Sequence, residues 1–358
     1  MLTRQFKGTL VVLLSLMSAL LVLFAYAKSV PAQPTGKKKT IEMRMAHYQP
    51  EQRVLMVAIK WWADQVKART GGRIVIKHYF GGTLAGAREI YPLVSGGGLE
   101  LGTPAPSYNV SDLPLFNFVG DYPWPNLDEL FWFMPRLVEK VPALAAEWKR
   151  INVKPLSYGG LPPYGIVSRK PIKSLAELRN LKVRVWGKNV PRRVTKLGMV
   201  PLSTPSSEIY EAMAKGTVDC SLSPTDQHKS LGLWEVAKYH LQGDFIPALF
   251  AAQPVMNLDL FNRLEPDLRQ ILMDLQVDHL KKIKELVQET DAADEKFLKE
   301  HGVQFAHLSK AENKRLEEIA MEVWEEQAAE LSAKGRGAEV KEIKATLEQL
   351  KPEYLKTH

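Results

Sequence analysis

The sequence predicts an α/β fold, and three observations support that prediction. Residues 181–219 follow the order strand, helix, strand, helix, strand, and residues 181–186 alternate apolar and polar side chains. Residues 41–102 contain a second run of strands and helices in the same order. This order is typical of sheets covered by helices. The length of 358 residues allows one large or two medium domains.

Residues 181–219 also carry the clearest functional signal. Arg184 lies near the carboxyl end of its predicted strand, and Trp186 follows it. Ligands of parallel sheets bind at the carboxyl ends of the strands. A guanidinium is permanently charged and offers two parallel N–H donors to a carboxylate. A single arginine could also lie on the surface or bridge two lobes, so the surrounding pattern decides.

That pattern consists of five short motifs: Leu181-Lys182-Val183-Arg184-Val185, Leu197-Gly198, Pro201-Leu202, Glu208-Ile209-Tyr210-Glu211-Ala212-Met213 and Gly216-Thr217-Val218-Asp219. Together they resemble the substrate-binding proteins of tripartite ATP-independent periplasmic (TRAP) transporters, dicarboxylate-type family. The resemblance covers roughly residues 41–302. It implies a two-lobed periplasmic binding protein (Venus-flytrap) fold with mixed sheets, hinge strands and a long C-terminal helix spanning both lobes. It also implies that Arg184 pairs with the substrate carboxylate.

The remaining elements follow from periodicity and from glycine and proline breaks. The predicted strands cover residues 41–47, 73–79, 99–102, 153–157, 164–168, 199–202 and 250–257, and another starts at 217. The predicted helices cover residues 54–69, 83–95, 126–150, 208–215, 265–302, 309–333 and 339–350. Residues 104–125 and 242–245 are predicted to be loops near the ligand.

The predicted domain organisation begins with a secretory signal over residues 1–27. Arg4 and Lys7 precede an apolar run, and residues 25–27 form a small-x-small cleavage site, with Ala32 as a second candidate. An uncleaved membrane anchor is the alternative. A disordered linker covers 28–40. Lobe I comprises residues 41–163 and 250–290, and lobe II comprises residues 164–249 and 291–358. We therefore expect a periplasmic protein.

The candidate ligand contacts come from the resemblance and from positions facing the predicted cleft. Ser223 stands where the family has an asparagine, so the pocket is expected to be wider or to use a water there. Tyr48 follows the first strand, and Trp186 follows the arginine where the family has smaller residues. These three favour a flatter and larger ligand than a four-carbon acid, such as an aromatic acid, and the choice between an aromatic and an aliphatic ligand stays open. The full predicted set is Arg184, Trp186, Ser223, Tyr48, Tyr164, Ser107, Asp244 and Phe245.

Composition and motif content argue against nucleic acid binding, a disulfide framework and catalysis. The formal charge is +8, but no basic run exceeds residues 37–39, and we expect no nucleic acid partner. Cys220 is the only cysteine, so no intramolecular disulfide forms; a buried, inert thiol is expected. Gly-x-Ser-x-Gly, His-Glu-x-x-His and Cys-x-x-Cys are absent, and we expect neither catalysis nor a cofactor or metal.

The sequence thus predicts a monomeric binding protein that captures an organic acid and delivers it to the membrane permease subunits of a TRAP transporter. Two alternatives stay open. One is a periplasmic hydrolase with the same lobes, for which residues 226–228 beside Ser223 supply polar groups. The other is a receptor subunit that senses the ligand instead of transporting it.

Overall fold

The computed structural model describes residues 40–250 and 253–358. The predicted signal peptide and nearly all of the predicted linker lie outside these residues. The strands are β1 (Ile41–His47), β2 (Ile74–Tyr79), β3 (Leu101–Thr103), β4 (Val153–Pro155), β5 (Gly160–Leu161), β6 (Tyr164–Ser168), β7 (Lys182–Val185), β8 (Val200–Ser203), β9 (Cys220–Ser223), β10 (Tyr239–Ile246), β11 (Leu249–Phe250), β12 (Val255–Asn257) and β13 (Gln304–His307).

Thirteen α-helices are found within the same residues. They are α1 (Val54–Arg69), α2 (Ile90–Ser95), α3 (Pro114–Gly120), α4 (Leu127–Lys140), α5 (Pro142–Arg150), α6 (Asn189–Lys196), α7 (Ile209–Ala214), α8 (Thr225–Ser230), α9 (Leu233–Val236), α10 (Leu258–Arg263), α11 (Pro266–Glu300), α12 (Lys310–Leu331) and α13 (Gly337–Thr357). None of these helices has the length and apolar composition needed to cross a membrane.

The first sheet is mixed and has the strand order β2-β1-β3-β12-β4. β1 runs parallel to both β2 and β3, whereas β12 is antiparallel to β3 and β4. Helix α1 packs against β2 and buries Leu55, Ile59, Trp62 and Val66 along one side. β12 comes from a much later part of the chain, so the chain must leave this sheet and return to it.

The second sheet contains the segment with the strongest sequence signal and has the order β13-β10-β6-β9-β7-β8. β7 is parallel to β8 and to β9, which confirms the parallel unit predicted for residues 181–219. Its third strand begins at Cys220, three residues later than predicted. β6 is antiparallel to β9 and β10, so this sheet is also mixed. Cys220 is buried, as expected, and burial raises the pKa of its thiol.

Two of the chain crossings between the sheets, those through β5 and β11, are paired with each other. β5 and β11 form a two-stranded antiparallel sheet in which Leu161 faces Leu249 and Gly160 faces Phe250. A Cβ at Gly160 would lie 2.7 Å from the ring of Phe131, so glycine is required for this close approach. The 35-residue helix α11 contacts both α1 and α8. The chain therefore has the expected two-lobed α/β fold with mixed sheets, hinge strands and a long helix spanning the lobes.

The C-terminal helices contact elements beside both sheets. Helix α12 contacts α6 and β10, and it also contacts α3. Helix α13 contacts α4 and α3. The residue bounds predicted for the two lobes remain a prediction.

Several predicted elements differ from the structure. The helix predicted over 126–150 is two helices, because Pro142 lacks an N–H and favours the extended backbone seen at Val141 (φ −115°, ψ 92°). The helix predicted over 83–95 covers only α2. The stretch 104–125, predicted as a loop, contains α3 and a short 3₁₀ helix, Pro106–Tyr108.

Two further corrections concern the second half of the chain. Residues 242–245, predicted as a loop, lie inside β10, in the irregular stretch between Leu241 and Ile246 where the pairing of β10 with β6 stops and resumes. The strand predicted over 250–257 is divided between β11 and β12, and residues 251–252 lie outside the described residues. The last helix, predicted to end at 350, continues to Thr357 with Pro352 inside it.

Candidate ligand-binding site

Five of the eight predicted site residues line one cavity, whose empty space of about 370 Å³ includes a part that is open to solvent. They are Tyr48, Ser107, Tyr164, Arg184 and Trp186. Tyr48 directly follows β1 and Trp186 directly follows β7, so the cavity lies where these strands end. The lining also includes Gln49, Arg53, Tyr108, Gln227 and Phe250.

Arg184 is held rigidly in the wall of this cavity. Its side chain is almost fully buried, with 2% of the residue exposed. Its Nε donates a hydrogen bond of 2.9 Å to the backbone oxygen of Thr204, and its Cζ lies 4.7 Å from the ring centroid of Trp186. Burial lowers the pKa of the guanidinium, while Tyr108 and Tyr164 act in the opposite direction. An arginine at this position remains charged at neutral pH.

No carboxylate forms an ion pair with Arg184 within residues 40–250 and 253–358. Its interactions are instead with neutral groups, the Thr204 carbonyl, the phenol of Tyr108 and the Trp186 ring. A buried charge without a counter-charge is costly, so such a group is expected to meet an anion during function.

Aromatic side chains form the walls on either side of Arg184. Tyr48 and Tyr108 meet edge to face with ring centroids 5.8 Å apart, and Tyr164 and Trp186 lie 5.4 Å apart. Burial raises the pKa of the Tyr48 and Tyr164 phenols above the usual value, which keeps both hydroxyls protonated. The cavity therefore offers flat apolar surfaces with neutral hydrogen-bonding groups at their edges.

A second arginine, which sequence reasoning missed, lies in the same wall. Arg53 immediately precedes α1 and is 1% exposed, and its Nε lies 2.7 Å from Oδ2 of Asp226 in the first turn of α8. The pair connects an element beside the first sheet with an element beside the second. The signal that could have identified Arg53 is its position in the loop at the carboxyl end of β1.

Comparison with known proteins decides the family. Residues 45–331 match the profile of the bacterial extracellular solute-binding proteins, family 7 (the DctP family). The chain belongs to this family. A solute-binding protein from Albidiferax ferrireducens is 27% identical over 168 residues, which cover 46% of this chain and 50% of that protein. The chain spans about half the length of the first curated relatives that it matches.

Two solved structures share the fold of this family 7 protein. One is DctP7 of Bordetella pertussis, an extracytoplasmic solute receptor binding pyroglutamic acid, with 22% identity, a TM-score of 0.74, and 86% and 99% of the two chains covered. The other is a TRAP periplasmic solute-binding protein from Roseobacter denitrificans with bound β-D-glucuronate, with 21% identity, a TM-score of 0.70, and 85% and 99% covered. At these identities the likeness shows the fold.

Three predicted site residues of the solute-binding protein do not lie in the cavity wall. Ser223 is fully buried at the end of β9, and its Oγ lies 3.1 Å from Oγ of Ser221 on the same strand. Asp244 is exposed on β10, where its backbone N–H donates to Oδ1 of Asn313. Phe245 is buried beside it in the core. The structure therefore does not bring these three together with Arg184.

The polar stretch Asp226-Gln227-His228 does not form a hydrolytic triad in the solute-binding protein. Asp226 pairs with Arg53, and Gln227 lines the Arg184 cavity. His228 instead contacts the interior, with Nε2 lying 3.0 Å from the backbone oxygen of Ala237 and Nδ1 lying 3.3 Å from Nδ1 of His240. Burial lowers the pKa of His228 to about 4. Within the described residues, no cluster of His, Cys, Asp and Glu is arranged to hold a metal ion.

Proposed function

We propose that this family 7 protein captures an organic acid anion in the Arg184 cavity and delivers it to the membrane permease subunits of a TRAP transporter. The observation that supports this most directly is the buried guanidinium of Arg184, which has no carboxylate partner among the described residues. A ligand carboxylate would supply the missing counter-charge through two parallel hydrogen bonds.

The relatives and the hinge support the same proposal. Pyroglutamic acid and glucuronate, named for the two structural neighbours, are both small organic acids with a carboxylate. The cavity is lined by Tyr48 and Tyr108 from the first lobe side and by Tyr164 and Trp186 from the second, so one ligand can contact both. Contacts with both sides favour the closed state, whose surface the permease would recognise.

The test is a ligand panel measured by thermal shift and then by calorimetry on the purified protein. The panel contains pyroglutamate, glucuronate and three matched pairs: succinate and succinamate, glutarate and glutaramate, and terephthalate and 4-carbamoylbenzoate. We expect at least one acid to bind with sub-millimolar affinity. If no acid raises the melting temperature or gives a calorimetric signal, the proposed capture of organic acids is wrong. Incubation with a panel of esters tests the absence of hydrolysis.

The delivery step, the cellular location and the oligomeric state are part of the same proposal. The signal peptide proposed over residues 1–27 would be removed on export, and mass spectrometry of the exported protein would reveal this as a new N-terminus after residue 27. Genes for a large and a small permease subunit beside the gene for this protein would distinguish transport from sensing. Light scattering of the mature chain at micromolar concentration is expected to give the mass of a monomer.

A further inference from the structure

The charged groups in the wall of the Arg184 cavity are few. Among the described residues that line it, Arg184 and Arg53 are charged and the others are neutral. Asp226 lies 2.7 Å from Arg53 and neutralises it. The tyrosines stay protonated, so they add no charge. One positive charge, that of Arg184, is therefore left without a counter-charge among the groups that line the cavity.

Asp226 supplies its negative charge from outside the cavity. It does not line the cavity, but lies in an outer groove between α1, α8 and α11 that also includes Val57 and Leu286. The other charged groups near Asp226 leave the charge balance between Arg53 and Asp226 unchanged. Lys229 Nζ lies 2.6 Å from Oδ1 of Asp294, so these two charges offset each other, and burial raises the pKa of the Asp291 carboxyl next to Asp226, which favours its neutral form. The charge of Arg53 is thus balanced by Asp226, which lies in the outer groove.

We infer that the cavity selects monocarboxylates over dicarboxylates, and that Asp226 determines this selectivity by neutralising Arg53. One carboxylate bound to Arg184 makes the buried cavity electrically neutral. A second carboxylate would be buried without a counter-charge, which is strongly unfavourable in a site shielded from water. Without Asp226, Arg53 would become a second unmatched cation and could accept that second carboxylate.

The neutral polar groups indicate the chemistry of the rest of the ligand. Oε1 of Gln49 and Oε1 of Gln227 are buried and have no hydrogen-bond donor among the described residues. Both residues line the cavity. Buried acceptors without a donor are unfavourable, so a ligand that offers N–H or O–H groups is preferred. Nη2 of Arg53 is buried in the same lining without an acceptor in the part of the chain that the structure describes, so the inferred ligand class is a monocarboxylate whose other polar groups are uncharged and include both donors and an acceptor, such as hydroxyls or an amide.

This inference rests on the proposed function, and the matched pairs of the panel separate the two. Each pair differs by the replacement of one carboxylate with a carboxamide, which keeps the shape and removes a charge. We expect the carboxamide to bind the wild-type protein at least tenfold more tightly than its diacid. If the diacids bind as tightly or more tightly, the charge argument is wrong while organic acid capture stands. If no acid binds, both are wrong.

The variant Asp226→Asn tests the role assigned to Asp226. It preserves the side-chain shape and leaves Arg53 without a counter-charge, so the affinity ratio of diacid to carboxamide is expected to rise at least tenfold. Asp294→Asn is the matched control, because it removes a carboxylate from a similar ion pair of 2.6 Å outside the cavity. An unchanged ratio in Asp226→Asn, or an equal change in both variants, would overturn the assignment. The wild-type ranking tests the selectivity even if a variant fails to fold.

Discussion

The guanidinium carbon of Arg184 lies 4.7 Å from the ring centroid of Trp186, so the aromatic face supports the cation in the cavity wall. The hydrogen bond from Arg184 Nε to the Thr204 oxygen fixes the same group from another direction. A guanidinium held by two neutral contacts is already oriented before a ligand arrives. Such preorganisation reduces the entropy lost on binding.

Replacement of Arg184 is expected to abolish most of the affinity. Arg184→Ala leaves a ligand carboxylate buried without a partner, which costs on the order of 3–5 kcal/mol. This corresponds to roughly a hundredfold to several-thousandfold weaker binding. Arg184→Lys should not restore affinity, because lysine is a point donor and cannot form two parallel bonds. Calorimetry with the tightest acid of the panel measures both variants.

The control for this prediction is Arg179→Ala, which removes an exposed arginine near the same sheet. It is expected to leave the affinity unchanged. Binding by Arg184→Ala within a few-fold of the wild type would show that the carboxylate binds elsewhere.

Loss of the Trp186 ring is expected to weaken binding by a smaller factor. A cation–π contact contributes about 0.5–2 kcal/mol, so Trp186→Ala should bind the acid roughly 2- to 30-fold more weakly. Trp234→Ala is a matched control, since Lys238 Nζ lies 5.4 Å from that ring centroid and neither residue lines the Arg184 cavity. Equal dissociation constants for the wild type and Trp186→Ala would contradict a role for the ring.

The position of Arg184 was predictable because its signals are local. The alternation around β7, the glycine before β8 and the following helix define a parallel unit within forty or so consecutive residues, and the end of such a strand is where ligands bind. The Arg53–Asp226 pair was not predictable in this way. Each residue lies at the start of a helix, far from the other in the sequence, and only the tertiary structure brings them together.

The loop predicted over residues 242–245 was wrong, whereas the ligand contact predicted for Ser223 stays a prediction. Gly243 and Asp244 have low strand propensity, and they lie in the irregular stretch of β10 between Leu241 and Ile246, where the paired residues of β6 stop and resume. Ser223 was assigned by its position relative to the family motif. In β9, however, Ser221 and Ser223 share one face and contact each other inside the lobe.

The buried His279 predicts a loss of stability on acidification. Burial lowers its pKa from 6.5 to about 3, so below pH 6.5 the unfolded chain takes up a proton that the folded chain does not. The free energy of unfolding therefore falls as the pH drops from 6.5 towards 3, with a slope of up to about 1.4 kcal/mol per pH unit from this group. Urea unfolding at pH 7, 6 and 5 measures the slope.

His279→Asn removes this titration and retains a short polar group near Ser157, whose Oγ lies 2.9 Å from Nδ1 of His279. The variant is expected to be less stable at pH 7 but to lose less stability on acidification. The exposed His358→Asn serves as the control and should retain the wild-type slope. Parallel pH profiles for wild type and His279→Asn would show that another group determines the acid response.

Glu147 is expected to stabilise the start of helix α3. Its carboxylate accepts two backbone hydrogen bonds of 2.9 Å, from the N–H of Leu115 to Oε1 and from the N–H of Phe116 to Oε2. Glu147→Gln replaces one acceptor oxygen with an amide NH₂, so one buried N–H loses its partner at a cost of about 1–3 kcal/mol. We expect the free energy of unfolding, measured by urea titration at pH 7, to fall by this amount.

The exposed Glu139→Gln is the control and should change the free energy of unfolding by less than about 0.5 kcal/mol. If both variants lose the same stability, the carboxylate of Glu147 does not support the helix start.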